Sequence, residues 1–267
     1  MLDTLIHKYL RLPYRLNVHT DQKTKSPRAT VLLLHGIGNS GAIWDMVVDQ
    51  LPNDLRIVSM DLLGFGRSPK PEWLQYNVEV QARSVIATLA GLGIRQPLII
   101  VGHSLGSLTA VEIAKLSPRM VKSLILCSPP LYSNEISKKL MIDQTKILKQ
   151  FYRIILKNSH RIIKAAPVGT KFNLVGKIFN INSHNANAYM GALESSIMEQ
   201  TSLEDIVKIK KPIHMIHGSF DPVVIKKNLT KVLRANDQAT LSVVRAGHEM
   251  VGAYIPVVVR AVIQDAE

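Results

Sequence analysis

The chain has one cysteine, Cys127, in 267 residues, which excludes an internal disulfide and any scaffold stapled by several. Cys127 ends the apolar run Leu124-Ile125-Leu126-Cys127, where a packed thiol is expected rather than a nucleophile. Long apolar stretches are also missing, since none approaches the ~20 residues that cross a bilayer. The first ten residues carry Asp3 and Lys8 and lack the basic start, unbroken apolar centre and small-residue cleavage site of a secretory leader. A cytoplasmic protein is the resulting expectation. Aromatics make up only 5% and are not interleaved with a basic cluster, so no nucleic-acid interface is expected. Metal and nucleotide motifs are absent too.

What is present is an ordinary globular composition, 46% hydrophobic and 20% charged. A chain of this length can bury roughly 70–75% of its unfolded surface in one large domain. The net charge of +13 is concentrated in residues 131–211, which hold 13 Lys/Arg against 6 Asp/Glu. Most of that excess reads as a solvated surface. Lys138 to Lys164 also has an amphipathic helical pattern, and such a basic helix can lie on an anionic membrane. Only weak association of that kind is expected.

Short apolar runs recur at residues 30–34, 56–60, 98–101, 123–126, 213–216 and 239–244. Near-continuous apolarity marks strands buried on both faces of a parallel sheet. Helical spacing fills the intervals, as in Val78 to Leu92 and Leu105 to Leu116, the latter closed by Pro118. An α/β fold follows, with a mostly parallel central sheet covered by helices on both faces. Arg11 to His19 is expected to add an antiparallel edge strand. The alternation stops at about residue 131 and resumes at about 209, and the interval has helical pattern only. The reading is a core of 1–130 and 209–267 with a helical cap, 131–208, inserted after the sixth strand.

Gly102-His103-Ser104-Leu105-Gly106 lies between a predicted strand and a predicted helix. A serine displayed on a sharp turn there needs small neighbours two positions away on either side, and both are glycine. Ser104 is the candidate nucleophile, and the Leu105 amide at the helix start is placed to stabilise an oxyanion. A second donor is expected from the loop His35-Gly36-Ile37-Gly38, with the Ile37 amide as candidate. A serine hydroxyl requires an adjacent base. Of nine histidines, His248 is chosen because Arg245-Ala246-Gly247-His248 follows the last predicted strand, where the loops of a parallel sheet converge. His35 and His103 read as structural. His214 and His217, three apart on one strand, face opposite ways. Asp221, in the loop after residues 213–216, is the carboxylate expected to orient the base. The loop after Cys127 offers no acid before Glu135.

With Asp61-Leu-Leu-Gly-Phe-Gly-Arg-Ser68 and Gly218-Ser-Phe-Asp-Pro222 added, these motifs resemble the α/β-hydrolase superfamily over nearly the whole chain, in particular its cap-bearing esterase, lipase and C–C hydrolase branch. The resemblance implies the α/β-hydrolase fold, the order Ser104, Asp221, His248, a turn-forming role for Asp61, and no cofactor. It implies a serine hydrolase acting on a small-molecule carboxylic ester with an apolar acyl or alcohol group. The same residues also suit cleavage of a lactone, an amide or a C–C bond, and a binding protein that has kept the fold is a further alternative. Phe151, Phe172 and Met190 are the candidate substrate contacts. Oligomeric state is not legible.

Overall fold

The structure, a computed structural model, describes residues 2–133, 150, 153–154, 157, 184–250 and 252–267. Seven strands form one sheet among them: β1 Val18–Gln22, β2 Thr30–Leu34, β3 Arg56–Met60, β4 Leu98–His103, β5 Val121–Cys127, β6 Ile213–Gly218 and β7 Ala239–Val244. Their order is β1-β3-β2-β4-β5-β6-β7. The β1–β3 pair is antiparallel and every other pair is parallel.

Alternation along the central strands divides the core into two layers. Leu32 and Leu34 join Val58, Met60, Ile100 and Leu126 on one face. There they meet helix α1, Val78–Gly91, and helix α2, Leu105–Leu116. Val31 and Leu33 join Ile57, Ile99, Val101, Ile125 and Cys127 on the other. That face is closed by Trp44, Val47 and the helix Ile255–Ala266, whose Val258 and Val262 are fully buried. A strand buried on both sides has no polar face to offer, which is why the sequence shows runs rather than alternation. Helix α1 begins where Asn77 caps it, its side chain accepting from the Val80 amide at 2.9 Å.

Two features differ from the sequence reading. The edge strand starts at Val18, not Arg11, because the backbone before it is bound by side chains. The Leu16 amide donates to Thr88 Oγ1 at 2.8 Å, and the Asn17 amide donates to Ser68 Oγ at 2.8 Å. The insertion also leaves the sheet after β5, the fifth strand in the chain rather than the sixth. Much of the expected cap, 131–208, lies outside the described residues. Its described helix Ala186–Ala192 rests on the loop after β3, where an added Cβ on Gly64 would come within 2.5 Å of Ala188.

Helix α2 crosses β2 at Gly106, where an added Cβ would come within 2.2 Å of the Leu34 carbonyl oxygen. Gly93 has positive φ (+70°) but nothing within 4 Å of an added Cβ. Gly106→Ala should therefore cost roughly 3 kcal/mol or more through backbone displacement, and Gly93→Ala only about 1 kcal/mol of local strain. Urea denaturation of both variants checks the ranking.

Candidate active site

Ser104 joins the end of β4 to the start of α2 with φ 51° and ψ −114°. That conformation matches the first corner of a type II′ turn, ordinarily a glycine position. It is held from two sides. The Ser104 amide donates to the Cys127 carbonyl on β5 at 3.0 Å, and Ser107 Oγ donates to the Gly102 carbonyl at 2.7 Å. An added Cβ on Gly102 would lie 2.4 Å from the Gly106 carbonyl oxygen, so the turn closes only with glycine there. The Leu105 amide is first in its helix and has no acceptor within it. Gly36, next to Ile37 in the chain, sits so close that an added Cβ would be 3.2 Å from Ser104 Cβ.

His248 stands in the loop after β7, with Nε2 3.0 Å from Ser104 Oγ and Nδ1 2.8 Å from Asp221 Oδ2. The three residues named from the sequence thus lie in one hydrogen-bonded line. Asp221 is carried by the loop after β6, and the two loops are joined by backbone bonds. Ser219 and Phe220 amides donate to the Val244 and Ala246 carbonyls at 2.8 and 3.0 Å. Gly218 permits this approach, since an added Cβ would strike the Ala246 carbonyl oxygen at 2.3 Å. Burial works to raise the Asp221 carboxyl. The hydrogen bond and charge of His248, the Ser128 hydroxyl and the Val223 amide outweigh it, leaving the carboxyl below its ordinary range. Asp221 is thereby kept as an anion facing the imidazole, and its Nδ1 contact favours an Nδ1–H tautomer with Nε2 free to accept from serine.

Three supporting residues have no motif in the sequence that singles them out. His103 is buried, with Nε2 2.7 Å from the His248 carbonyl oxygen, so that nitrogen carries the proton. Its Nδ1 has no partner among the described residues and faces Gly36. Its ring centre is 5.2 Å from that of His248. His103 reads as structural in the sequence, and its contact here is a structural one, bracing the main chain of His248. Tyr254, fully buried, donates to the Gly247 carbonyl at 3.0 Å and shares a 2.6 Å hydrogen bond with Ser128. Position next to a strand end or a motif is the only sequence signal any of them has.

His35 is fully buried. Its Nδ1 donates to the Gly36 carbonyl at 2.6 Å and its Nε2 accepts from the Leu62 amide at 2.8 Å, fixing the loop that carries Ile37. Asp61 fastens the neighbouring turn by accepting from the amides of Gly41 and Arg67, each at 2.7 Å. Beside that turn, a cavity of ≈ 620 Å³ is lined by Gly38, Asn39, Ser40, Lys70, His184 and Asn185, a polar set. Met190 is partly buried against the core, whereas Phe151 and Phe172 lie outside the described residues. Among the described residues, no group of three or more His, Cys, Asp or Glu is placed to hold a metal ion.

A family model described as alpha/beta hydrolase fold matches residues 29–161. The pimeloyl-[acyl-carrier protein] methyl ester esterase of Pseudoalteromonas atlantica is 28% identical over 242 residues, covering 84% of this chain and 90% of that protein. A probable lysophospholipase of Arabidopsis thaliana, BODYGUARD 2, is 33% identical over 126 residues. That match covers 44% of this chain and only 26% of the Arabidopsis protein. The enol-lactonase from Burkholderia xenovorans superposes with a TM-score of 0.70 at 17% identity, covering 94% of this chain and 95% of that structure.

Burial lowers His35 from 6.5 to about 4. Burial, then the neighbouring His248, lowers His103 to about 3. Between pH 6.5 and about 4 the unfolded chain takes up a proton at each histidine that the folded chain refuses. Stability is therefore full above pH 6.5 and falls as pH drops, by about 1.4 kcal/mol per unit for each group. His35→Gln should be less stable at neutral pH yet lose stability less steeply, by one proton, on acidification. Urea midpoints measured at several pH values check the slope.

Proposed function

The chain belongs to the α/β-hydrolase superfamily, and from that membership we propose that it is a serine hydrolase cleaving a carboxylic ester through an acyl-enzyme. The observation that carries this reading is the line from Asp221 through His248 to Ser104, with spacings of 2.8 and 3.0 Å, ending on a serine in a strained turn. Ser104 Oγ attacks the ester carbonyl carbon while His248 Nε2 takes the hydroxyl proton. The amides of Leu105 and Ile37 hold the oxygen that becomes negative. As the tetrahedral adduct collapses, the C–O bond to the alcohol breaks and His248 delivers its proton to the departing oxygen. Water then attacks the acyl-serine as His248 removes its proton. The free acid leaves, and the proton returns to Ser104.

Asp221 stays ionised throughout, fixing the imidazole tautomer and stabilising the imidazolium. Names among the relatives support an ester as substrate: a methyl ester esterase aligned over most of both chains, and a probable lysophospholipase aligned over part. The insertion at 131–208 acts in this proposal as a cap over the carboxyl ends of the strands. Its Phe151, Phe172 and Met190 supply apolar contacts to the acyl or alcohol group, and the polar cavity beside Gly38 takes the other end.

A fluorophosphonate probe should label the folded protein at Ser104 and leave Ser104→Ala unlabelled. Hydrolysis of p-nitrophenyl esters of graded chain length should fall roughly 10⁴-fold or more in Ser104→Ala and in Asp221→Asn, chiefly in kcat. Folded wild-type protein that takes up no probe would overturn the enzymatic reading in favour of a ligand-binding protein. Labelling without ester turnover, but with turnover of lactones or amides, would move the bond cleaved.

A further inference from the structure

Eight large hydrophobic side chains are exposed among the described residues, and Leu5, Tyr9, Leu10 and Leu12 are four of them. All four fall in a segment whose other face is fastened down. The Tyr14 hydroxyl donates to Asp3 at 2.9 Å, and the His7 ring stacks on Tyr14 with centres 3.6 Å apart. His7 Nδ1 is 2.7 Å from the Leu12 carbonyl oxygen, and the Lys8 ammonium lies 5.7 Å above the Trp73 ring. These contacts hold the helical residues 2–9 in place with the leucines and Tyr9 turned outward. A clustered apolar patch on a soluble surface marks an interaction site.

The charges around the patch narrow what covers it. Lys8 and Arg11 are exposed in the segment itself, whereas its one acid, Asp3, is taken up by Tyr14. Beneath the segment is a cavity of ≈ 570 Å³ lined by Lys8, Arg11, Trp73, Leu74 and Arg83, of which Arg83 is paired with Glu79 at 2.8 Å. Leucine with tyrosine, rimmed by basic side chains that can extend upward, matches the boundary between acyl chains and anionic headgroups. A second copy is a poorer fit, because a twofold contact through this patch would bring both sets of basic residues together. Among the described residues no helix is long and apolar enough to cross a membrane, so contact through this segment is peripheral.

We propose that residues 5–12 are a docking surface for an anionic phospholipid bilayer, with Leu5, Tyr9, Leu10 and Leu12 entering the headgroup boundary and Arg11 on the phosphates. Trp73 and Leu74, which line the cavity together with Lys8 and Arg11, belong to the connection leaving the carboxyl end of β3. Ser104 also stands at the carboxyl ends of the strands. The docking surface goes beyond the hydrolytic reading and does not depend on turnover.

Co-sedimentation of the full chain is measured with phosphatidylcholine vesicles and with vesicles in which phosphatidylserine replaces part of the phosphatidylcholine. Binding to the anionic vesicles is expected, weakening as salt is raised. Arg11→Ala should reduce partition roughly fivefold. Leu5→Ser, Leu10→Ser and Leu12→Ser combined should abolish it, with the circular-dichroism spectrum unchanged. Ser104→Ala should bind like wild type, which separates this surface from catalysis. The proposal is overturned if wild type does not bind anionic vesicles, if the apolar variant binds as well as wild type, or if that variant instead dissolves a dimer seen by light scattering.

Discussion

A serine forced into a backbone conformation that favours glycine is the constraint around which this molecule is arranged. Such a residue costs on the order of 1–3 kcal/mol and persists only where its surroundings leave no alternative. Here they consist of β4 entering the turn, α2 leaving it, and the Cys127 carbonyl on β5 binding the Ser104 amide. Gly102 and Gly106 are small because the turn and the crossing of α2 over β2 leave no volume for a side chain. The strain displays one hydroxyl clear of the backbone. The parallel sheet supplies the rigidity that prevents the turn from relaxing.

The same edge of the sheet brings the other two side chains within reach by fusing two loops. Gly218 lets the backbone after β6 touch the backbone after β7, so Asp221 and His248 are fixed to each other before either meets Ser104. Neutral imidazoles complete the support. His35 ties the loop containing Ile37 to Leu62, and His103 binds the carbonyl of His248. Both are buried and refuse protons that free histidines accept. The arrangement therefore gains definition at neutral pH and is exposed to acid through the same two rings.

The sheet was legible because its strands are punctuated by polar and glycine-rich segments. Thr30–Leu34, Arg56–Met60 and Ala239–Val244 begin and end where the apolar runs do. The stretch from Arg11 to Asn17 stays out of the sheet because Tyr14 and Leu16 pack inward while side chains take the amides of Leu16 and Asn17. Ser104, Asp221 and His248 could be named because each sits in a short motif at a strand end. His103, Ser128 and Tyr254 could not be given their partners, since the bonds His103–His248 and Ser128–Tyr254 join residues distant in sequence. His103 and His248 are 145 positions apart. Substrate preference is less legible still, because pattern identifies a face of a helix and not the shape of a pocket.

Cys127 shares its backbone with the serine turn. Its thiol is fully buried on the sheet face closed by Ile255–Ala266, and burial pushes it above the ordinary thiol range. An alkylating reagent can reach it only when that helix lifts from the sheet. The chain therefore carries a built-in clock: the rate at which its lone sulfur becomes reactive reports how often the centre of the molecule opens, read at the strand that anchors Ser104.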